Sequence, residues 1–328
     1  MKRMKGFNGS VLFNLILVSI VLTLAGVSSS AEKFPSKEII IICNYSAGGA
    51  SDLSARVGAE YLKKELGVPV VVENRPEGGS MKGVTDVYRA KPDGYMLLAN
   101  QINRNCQLEA MYKPPFKILE MTYLAGFQRA DSFVVVNKDS PYKSLKDLVE
   151  ASKKKSLNCS TAGWAGMAHF CAEMLRRKVG VNLEIVAFKG SAPGIIPLLG
   201  GNVDMAVTDQ LTVLLHKEKL RPLGIFAEKR CEKFFPEAPT LKELGYDIKL
   251  TDPLVGICGP PGLPEEIRKI LSDALAKAIK NPEFIDKIEK LGMTYVYVPG
   301  PEYYAAAVAA YNAYTPEEYK DIFGEEKK

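Results

Sequence analysis

The chain has 328 residues, 47% of them hydrophobic, with 43 Lys and Arg against 38 Asp and Glu. A balance this even excludes the concentrated basic face of a nucleic-acid binder, and two histidines exclude a histidine-rich metal site. A chain of this length exceeds one ordinary core and predicts two domains.

Lys2, Arg3 and Lys5 precede an apolar stretch, Val11 to Val27, and small residues lead to Ala31. That is the pattern of a secretory signal over residues 1–31. An uncleaved anchor is the alternative, because the run is at the short end of a spanning helix. No cysteine follows Leu24-Ala25-Gly26, which argues against a lipid anchor. Cleavage would remove three positive charges and no acid, taking the formal charge from +5 to +2. The mature chain is expected to be exported and soluble, in the periplasm or another extracytoplasmic space.

Glu38 to Cys43 reads as a buried strand with four consecutive isoleucines, and "NYSAGGASD", Asn44 to Asp52, follows it. A helix then carries Leu53, Val57, Leu62 and Leu66 on one face and stops at Gly67. Strands are predicted at 70–73, 95–99, 133–136, 157–160, 184–187, 203–207, 222–226 and 295–298. Ser144 with Asp147, and Thr240 with Glu243, have capping-box spacing. A helix with Met167, Cys171, Met174 and Leu175 inward stops at Gly180, and a long one begins at Pro264 with Ile267, Ile270, Leu271, Ala274 and Ala278 inward. The alternation predicts an α/β fold with mainly parallel sheets. The six cysteines have no C-x-x-C pair and sit in apolar runs, so free thiols are expected.

Small residues between a buried strand and a helix let a ligand approach the backbone, and an exposed helix N-terminus favours an anion. The grammar recurs at "TAGWAGMAH", Thr161 to His169. Ligands of doubly wound sheets bind outside the carboxyl ends of strands. Two such turns across one cleft would clamp a carboxylate. One helix terminus contributes about 0.3–1 kcal/mol and one charged hydrogen bond about 1.5–3, whereas micromolar binding needs about 8 kcal/mol net. Two turns approach that figure and one does not.

No phosphate loop, dinucleotide fingerprint or G-x-S-x-G elbow is present. Metal and cofactor are therefore not expected, nor is a catalytic residue. An exported enzyme acting on a carboxylate remains a rival reading, with Asp52, Asp209 or His169 as its base. A sensory module docking on a signalling receptor is another.

"NYSAGGASDLSARVGAEYLKKELG", "VVVENRPEGGSMKG", "KPDGYMLLAN", "STAGWAGMAHFCAEML", "AFKGSAPGIIPLLGGNVDMAV" and "PEAPTLKELGYDI" stand in order along the chain. Together they resemble the substrate-binding proteins of tripartite tricarboxylate transporters, the Bug-type extracytoplasmic solute receptors. The resemblance implies a periplasmic-binding-protein-like fold of two α/β lobes, a small carboxylate between them, delivery to membrane permease subunits, and no chemistry on the ligand. It implies lobe one at 32–130 plus 252–328 and lobe two at 131–251, with hinges near 131–136 and 250–258. The ligand is a di- or tricarboxylate, an amino acid or an aromatic acid.

Asn44 stands where the family commonly has proline, and Glu77 and Ser80 replace glycines. The segment 204–219 is about two residues short of the family pattern. The expected ligand-binding set is Tyr45, Ala47, Gly48, Gly49, Ser51 and Asp52 from the first turn, and Ser160, Thr161, Gly163, Trp164, Gly166 and His169 from the second. Asp209 completes it, as the one acid that would recognise an ammonium. Each has a plainer role: helix entry for Ser51, capping for Asp52 and Asp209, local turn bonds for Ser160 and Thr161, packing for Trp164 and His169.

Overall fold

The computed structural model describes residues 33–324 except 189, 249 and 250. The expected signal segment, 1–31, lies outside the described residues, as does Leu250 at the start of the second expected hinge.

Two sheets organise the chain. The first contains β1 (Ile39–Cys43), β2 (Val70–Asn74), β3 (Met96–Gln101), β4 (Thr122–Arg129), β10 (Leu254–Gly259) and β11 (Thr294–Pro299), in the order β11-β4-β10-β3-β1-β2. The second contains β5 (Ser132–Asn137), β6 (Leu157–Ala162), β7 (Leu183–Phe188), β8 (Met205–Asp209) and β9 (Leu220–Phe226), in the order β7-β6-β8-β5-β9. Both belong to one compact unit from Lys37 onward.

The α/β architecture is as expected, but the sheets are mixed rather than mainly parallel. β1 runs parallel to β2 and β3, and β6 to β7 and β8. β10 and β11 run antiparallel to their neighbours, and so does β5 to β8 and β9. The cause is connectivity. The chain leaves the first sheet after Arg129, enters the second as β5, and returns as β10. The Ala130 amide donates to the Pro253 carbonyl at 2.9 Å, so the outgoing and returning segments lie side by side.

In β1, Ile39, Ile41 and Ile42 are fully buried, each contributing roughly 1.5–3 kcal/mol by burial. Helix α1 (Ala50–Leu66) follows and ends at Gly67 with φ 71°. Its inward face is not the expected leucine stripe: Ala55, Gly58, Ala59 and Leu62 are buried, whereas Leu53, Val57 and Leu66 are half-buried. Small residues win because the helix backbone comes close to the sheet; a β-carbon on Gly58 would lie 4.0 Å from the Phe127 ring.

Helix α2 (Met81–Tyr88) precedes β3, and α3 (Ile102–Tyr112) follows it without a break. In the second sheet α4 (Leu145–Ser152) has the expected capping box of Ser144 and Asp147. The helix α5 (Met167–Met174) runs into a π-turn, Leu175–Val179, and stops at Gly180 with φ 83°. Thr240 and Glu243 exchange the capping-box bonds, but within a turn rather than a helix.

Helices α6 (Ser191–Leu199) and α7 (Gln210–Leu215) flank β8. From the predicted start at Pro264, α8 (Glu265–Lys280) buries Leu271, Ala274 and Ala278 as expected, with Ile267 and Ile270 half-buried. After α9 (Pro282–Lys290) and α10 (Gly300–Tyr311), the last helix, α11 (Pro316–Phe323), places Tyr319, Ile322 and Phe323 in the hydrophobic cluster beneath the second sheet. All six cysteines are buried and unpaired, and burial pushes the Cys159 and Cys171 thiols up to about 12.

Candidate functional site

The first turn is built on a buried carboxylate. Asp52 is 2% exposed. Its Oδ2 accepts the Gly48 amide at 2.9 Å and Arg56 Nε at 3.2 Å, and its Oδ1 accepts Asn74 Nδ2 at 2.8 Å. Burial opposes the charge, but these donors outweigh it and hold the carboxyl below its ordinary value. Asp52 thus folds the turn back over its own helix. Gly48 sits at φ 82°, a left-handed position that suits glycine, and Gly49 is the N-cap of α1. Ala47, Gly48 and Gly49 are exposed; Ser51 is half-buried in the first turn of α1.

Asn44 explains its departure from proline. Fully buried, it donates through Nδ2 to the Ser80 carbonyl at 3.2 Å and to Asn105 Oδ1 at 3.1 Å. The side chain therefore ties the turn to both the second glycine-rich stretch and α3. Tyr45 donates from its hydroxyl to Gln101 Oε1 at 2.7 Å, at the end of β3. Burial pushes the phenol well up, so Tyr45 stays a neutral donor.

The second turn closes the carboxyl end of β6. Gly163 has φ 78°, and its amide donates to the Phe188 carbonyl at 2.6 Å. Ala165 is left-handed at φ 50°, and Gly166 is the N-cap of α5. The Ala165 amide donates to His169 Nδ1 at 2.9 Å. His169 is 6% exposed, its ring centroid 6.0 Å from Trp164 and 5.3 Å from Phe323. Burial holds the imidazole below 6.5, against the pull of Glu173. His169 is then neutral, with its proton on Nε2, and braces the turn. Trp164 is half-buried against the cluster beneath the sheet.

Ser160 and Thr161 are 0% and 1% exposed, and neither hydroxyl has a hydrogen-bond partner among the described residues. They do not make the local turn bonds that were their alternative. Asp209 does cap: Oδ1 accepts the Thr212 amide at 2.9 Å and Oδ2 the Thr212 hydroxyl at 3.0 Å, at the start of α7.

A third strand-to-helix junction, absent from the sequence reading, links the two turns. β3 lies beside β1, with Cys43 opposite Ala99, so the start of α3 falls next to the first turn. There Arg104 Nη1 donates to the Ala165 carbonyl and, at 3.2 Å, to Gln107 Oε1. Asn44 thus reaches α3, and Tyr45 the residue just before it, from one side, and Ala165 reaches α3 from the other. The signal in the sequence was "ANQINRN", an apolar strand running directly into polar residues. On a second flank, Gln210 Nε2 donates to the Gly292 carbonyl at 2.8 Å and Oε1 accepts the Thr294 hydroxyl at 2.8 Å. Among the described residues, no group of three or more His, Cys, Asp and Glu is arranged to hold a metal ion.

Residues 54–309 match the tripartite tricarboxylate transporter family receptor, TctC. The chain is 32% identical over 280 residues to the UPF0065 protein in the gbd 5' region of Cupriavidus necator, covering 84% of each chain. Among solved structures it is similar to the periplasmic binding protein BugD, with TM-score 0.76 and 26% identity over 88% of this chain and 98% of that one. It is also similar to MatC from Rhodopseudomonas palustris with bound malate, with TM-score 0.71 and 25% identity over 88% of this chain and all of the other.

Proposed function

The chain belongs to the tripartite tricarboxylate transporter family of solute receptors, which are not enzymes, and from that premise we propose that it captures a small carboxylate outside the cytoplasmic membrane and presents it to the permease subunits of its transporter. The observation that carries this is the pair of glycine-rich turns at the carboxyl ends of β1 and β6, tied together through α3. The exposed backbone at Ala47 and Gly49, beside the Gly48 amide that is held by Asp52, and the unpartnered hydroxyls of Ser160 and Thr161 would receive the acid. Asp52 and His169 are spent on shaping the turns, and they act through them. Gly163, Trp164 and Gly166 would complete the wall, with Tyr45 and Ser51 beside it. Asp209, committed to its cap, would border the site.

Residues 32–130 with 252–328 would form one lobe and 131–251 the other, except that α11 packs into the core of the second, and the two would rock about the crossings near Ala130 and Pro253. Export would use the segment 1–31. MatC was solved with malate, which makes malate the first acid to try. The test is a titration of the exported protein, stripped of carried ligand, with a panel of carboxylates led by malate. Thermal shift and Trp164 fluorescence are the readouts. Saturation at 100 times Kd should add about 2.7 kcal/mol to stability. A folded protein that responds to no carboxylate would overturn the reading.

A further inference from the structure

Arg104 is half-buried in the first turn of α3 and has no carboxylate partner among the described residues. The other arginine near the crossing strands, Arg129, is paired with Asp131 at 2.8 Å. The Arg104 bonds are all made by Nη1, to Gln107 and to the Ala165 carbonyl. Its Nε and Nη2 edge therefore has no partner in the described protein. That edge is the one that takes a carboxylate side-on through two parallel bonds. A partly desolvated cation without a counter-charge is unfavourable in the empty protein, and an anion delivered to it removes that cost.

The guanidinium is also held in place before any ligand arrives. Gln107 is 2% exposed and fixes Nη1 with its oxygen. The Ala165 carbonyl fixes it from the second turn, and Tyr45 of the first turn lies close enough to act on its charge. A planar donor edge, pinned between two anion-seeking glycine turns, is preorganised for a second negative group.

We infer that Arg104 reads the charge of the ligand: its Nε–Nη2 edge takes one carboxylate of a dicarboxylate whose other carboxylate lies on the glycine turns. The inference rests on the receptor reading above and narrows it. Aliphatic diacids are then favoured over amino acids and aromatic monoacids. Because Nη1 holds Ala165, the same side chain joins the α3 junction and the second turn around the bound acid.

The experiment measures Kd by calorimetry for malate, succinate and succinamate, the monoamide of succinate, on the wild-type receptor, Arg104→Gln and Arg104→Lys. Melting of each ligand-free protein checks its fold. Wild type should bind a diacid and take succinamate at least tenfold more weakly. Arg104→Gln should lose about 10- to 100-fold for the diacid, the loss expected for a charged hydrogen-bonded pair, and should no longer separate succinate from succinamate. Arg104→Lys should recover part of the loss, since it keeps the charge without the planar edge. Equal weakening of diacid and monoamide would make Arg104 a structural brace and overturn the inference. So would an unchanged Kd in Arg104→Gln, or a wild type that binds monoacids but neither diacid; in both cases the receptor reading stands. A wild type that binds no carboxylate at all removes the receptor reading and this inference together. If Arg104→Gln does not fold, the succinate-to-succinamate ratio on wild type decides.

Discussion

His169 Nδ1 accepts the Ala165 amide at 2.9 Å, across one turn of chain in which Ala165 is left-handed at φ 50°. Left-handed backbone costs an ordinary residue about 1–2 kcal/mol, so the ring holds a turn that would otherwise relax. Only the neutral ring can accept. His169 titrates below 6.5 in the fold, because burial disfavours its charge. As pH falls through 6.5 the unfolded chain takes the proton first, and stability falls until the folded ring is itself protonated. Glu173 and Arg176 beside the ring act in opposite directions on this shift. Wild type should therefore lose stability between pH 7 and 5 relative to His169→Asn, measured by urea unfolding at each pH. Parallel curves for the two proteins would show that the ring does not titrate differently in the fold.

Asp131 runs the other way. It lies where the chain crosses from the first sheet to the second, 2% exposed, and burial pushes its carboxyl up to about 6 despite Arg129. Its contribution is fully present below 3.8 and is lost as pH rises through about 6; the gap corresponds to about 3 kcal/mol. Asp131→Asn cannot ionise. It should gain on wild type as pH rises from 4 to 8, whatever its absolute stability. Denaturant midpoints across that range decide the matter, and a constant difference would mean that Arg129 fully compensates the burial.

At Asp52 burial opposes the charge as well, but the donors win. Its carboxylate accepts from Gly48, Arg56 and Asn74 while buried, and the group titrates below its ordinary value. Asp52→Ala would strand these donors, at about 2–4 kcal/mol. The Gly48 amide would also lose the bond that folds the turn, so carboxylate affinity should fall more than tenfold even at temperatures where the variant is fully folded. A variant that is destabilised yet binds normally would separate the Asp52 network from the site.

Much of this was legible before the structure. The run of four isoleucines and the glycine-rich residues after it specify β1 and its turn, and the turn after β6 repeats the grammar; both are local patterns. The inner face of α1 departs from the leucine periodicity because a close helix-to-sheet contact selects Ala55, Gly58 and Ala59 over larger side chains. β4 escaped because Gly126 and Gln128 interrupt its apolar run. Gly126 is there for packing: a β-carbon would lie 3.3 Å from Tyr303 and Val298. Arg104 was invisible for a different reason. Its place between the turns depends on β3 lying beside β1, a long-range pairing that no periodicity announces. The mixed sheets follow from the crossings, which are equally non-local.

The paired glycines allow fold and binding to be tested apart. Gly48, at φ 82°, has a backbone conformation that alanine adopts only with strain, although a β-carbon there would meet nothing within 4 Å. Gly48→Ala should therefore cost about 1–2 kcal/mol through the backbone alone. Gly49 is extended at φ −79°, and its β-carbon would meet only the Ser46 carbonyl at 3.6 Å. Losing glycine as an N-cap costs Gly49→Ala at most about 1 kcal/mol. Its methyl would nevertheless stand on the exposed side of the turn, where the ligand is expected to approach the amides. Gly49→Ala should melt within a few degrees of wild type and bind the carboxylate at least tenfold more weakly. Were it to bind normally, the glycine pair would serve the turn geometry alone, and the ligand would meet the protein through the second turn.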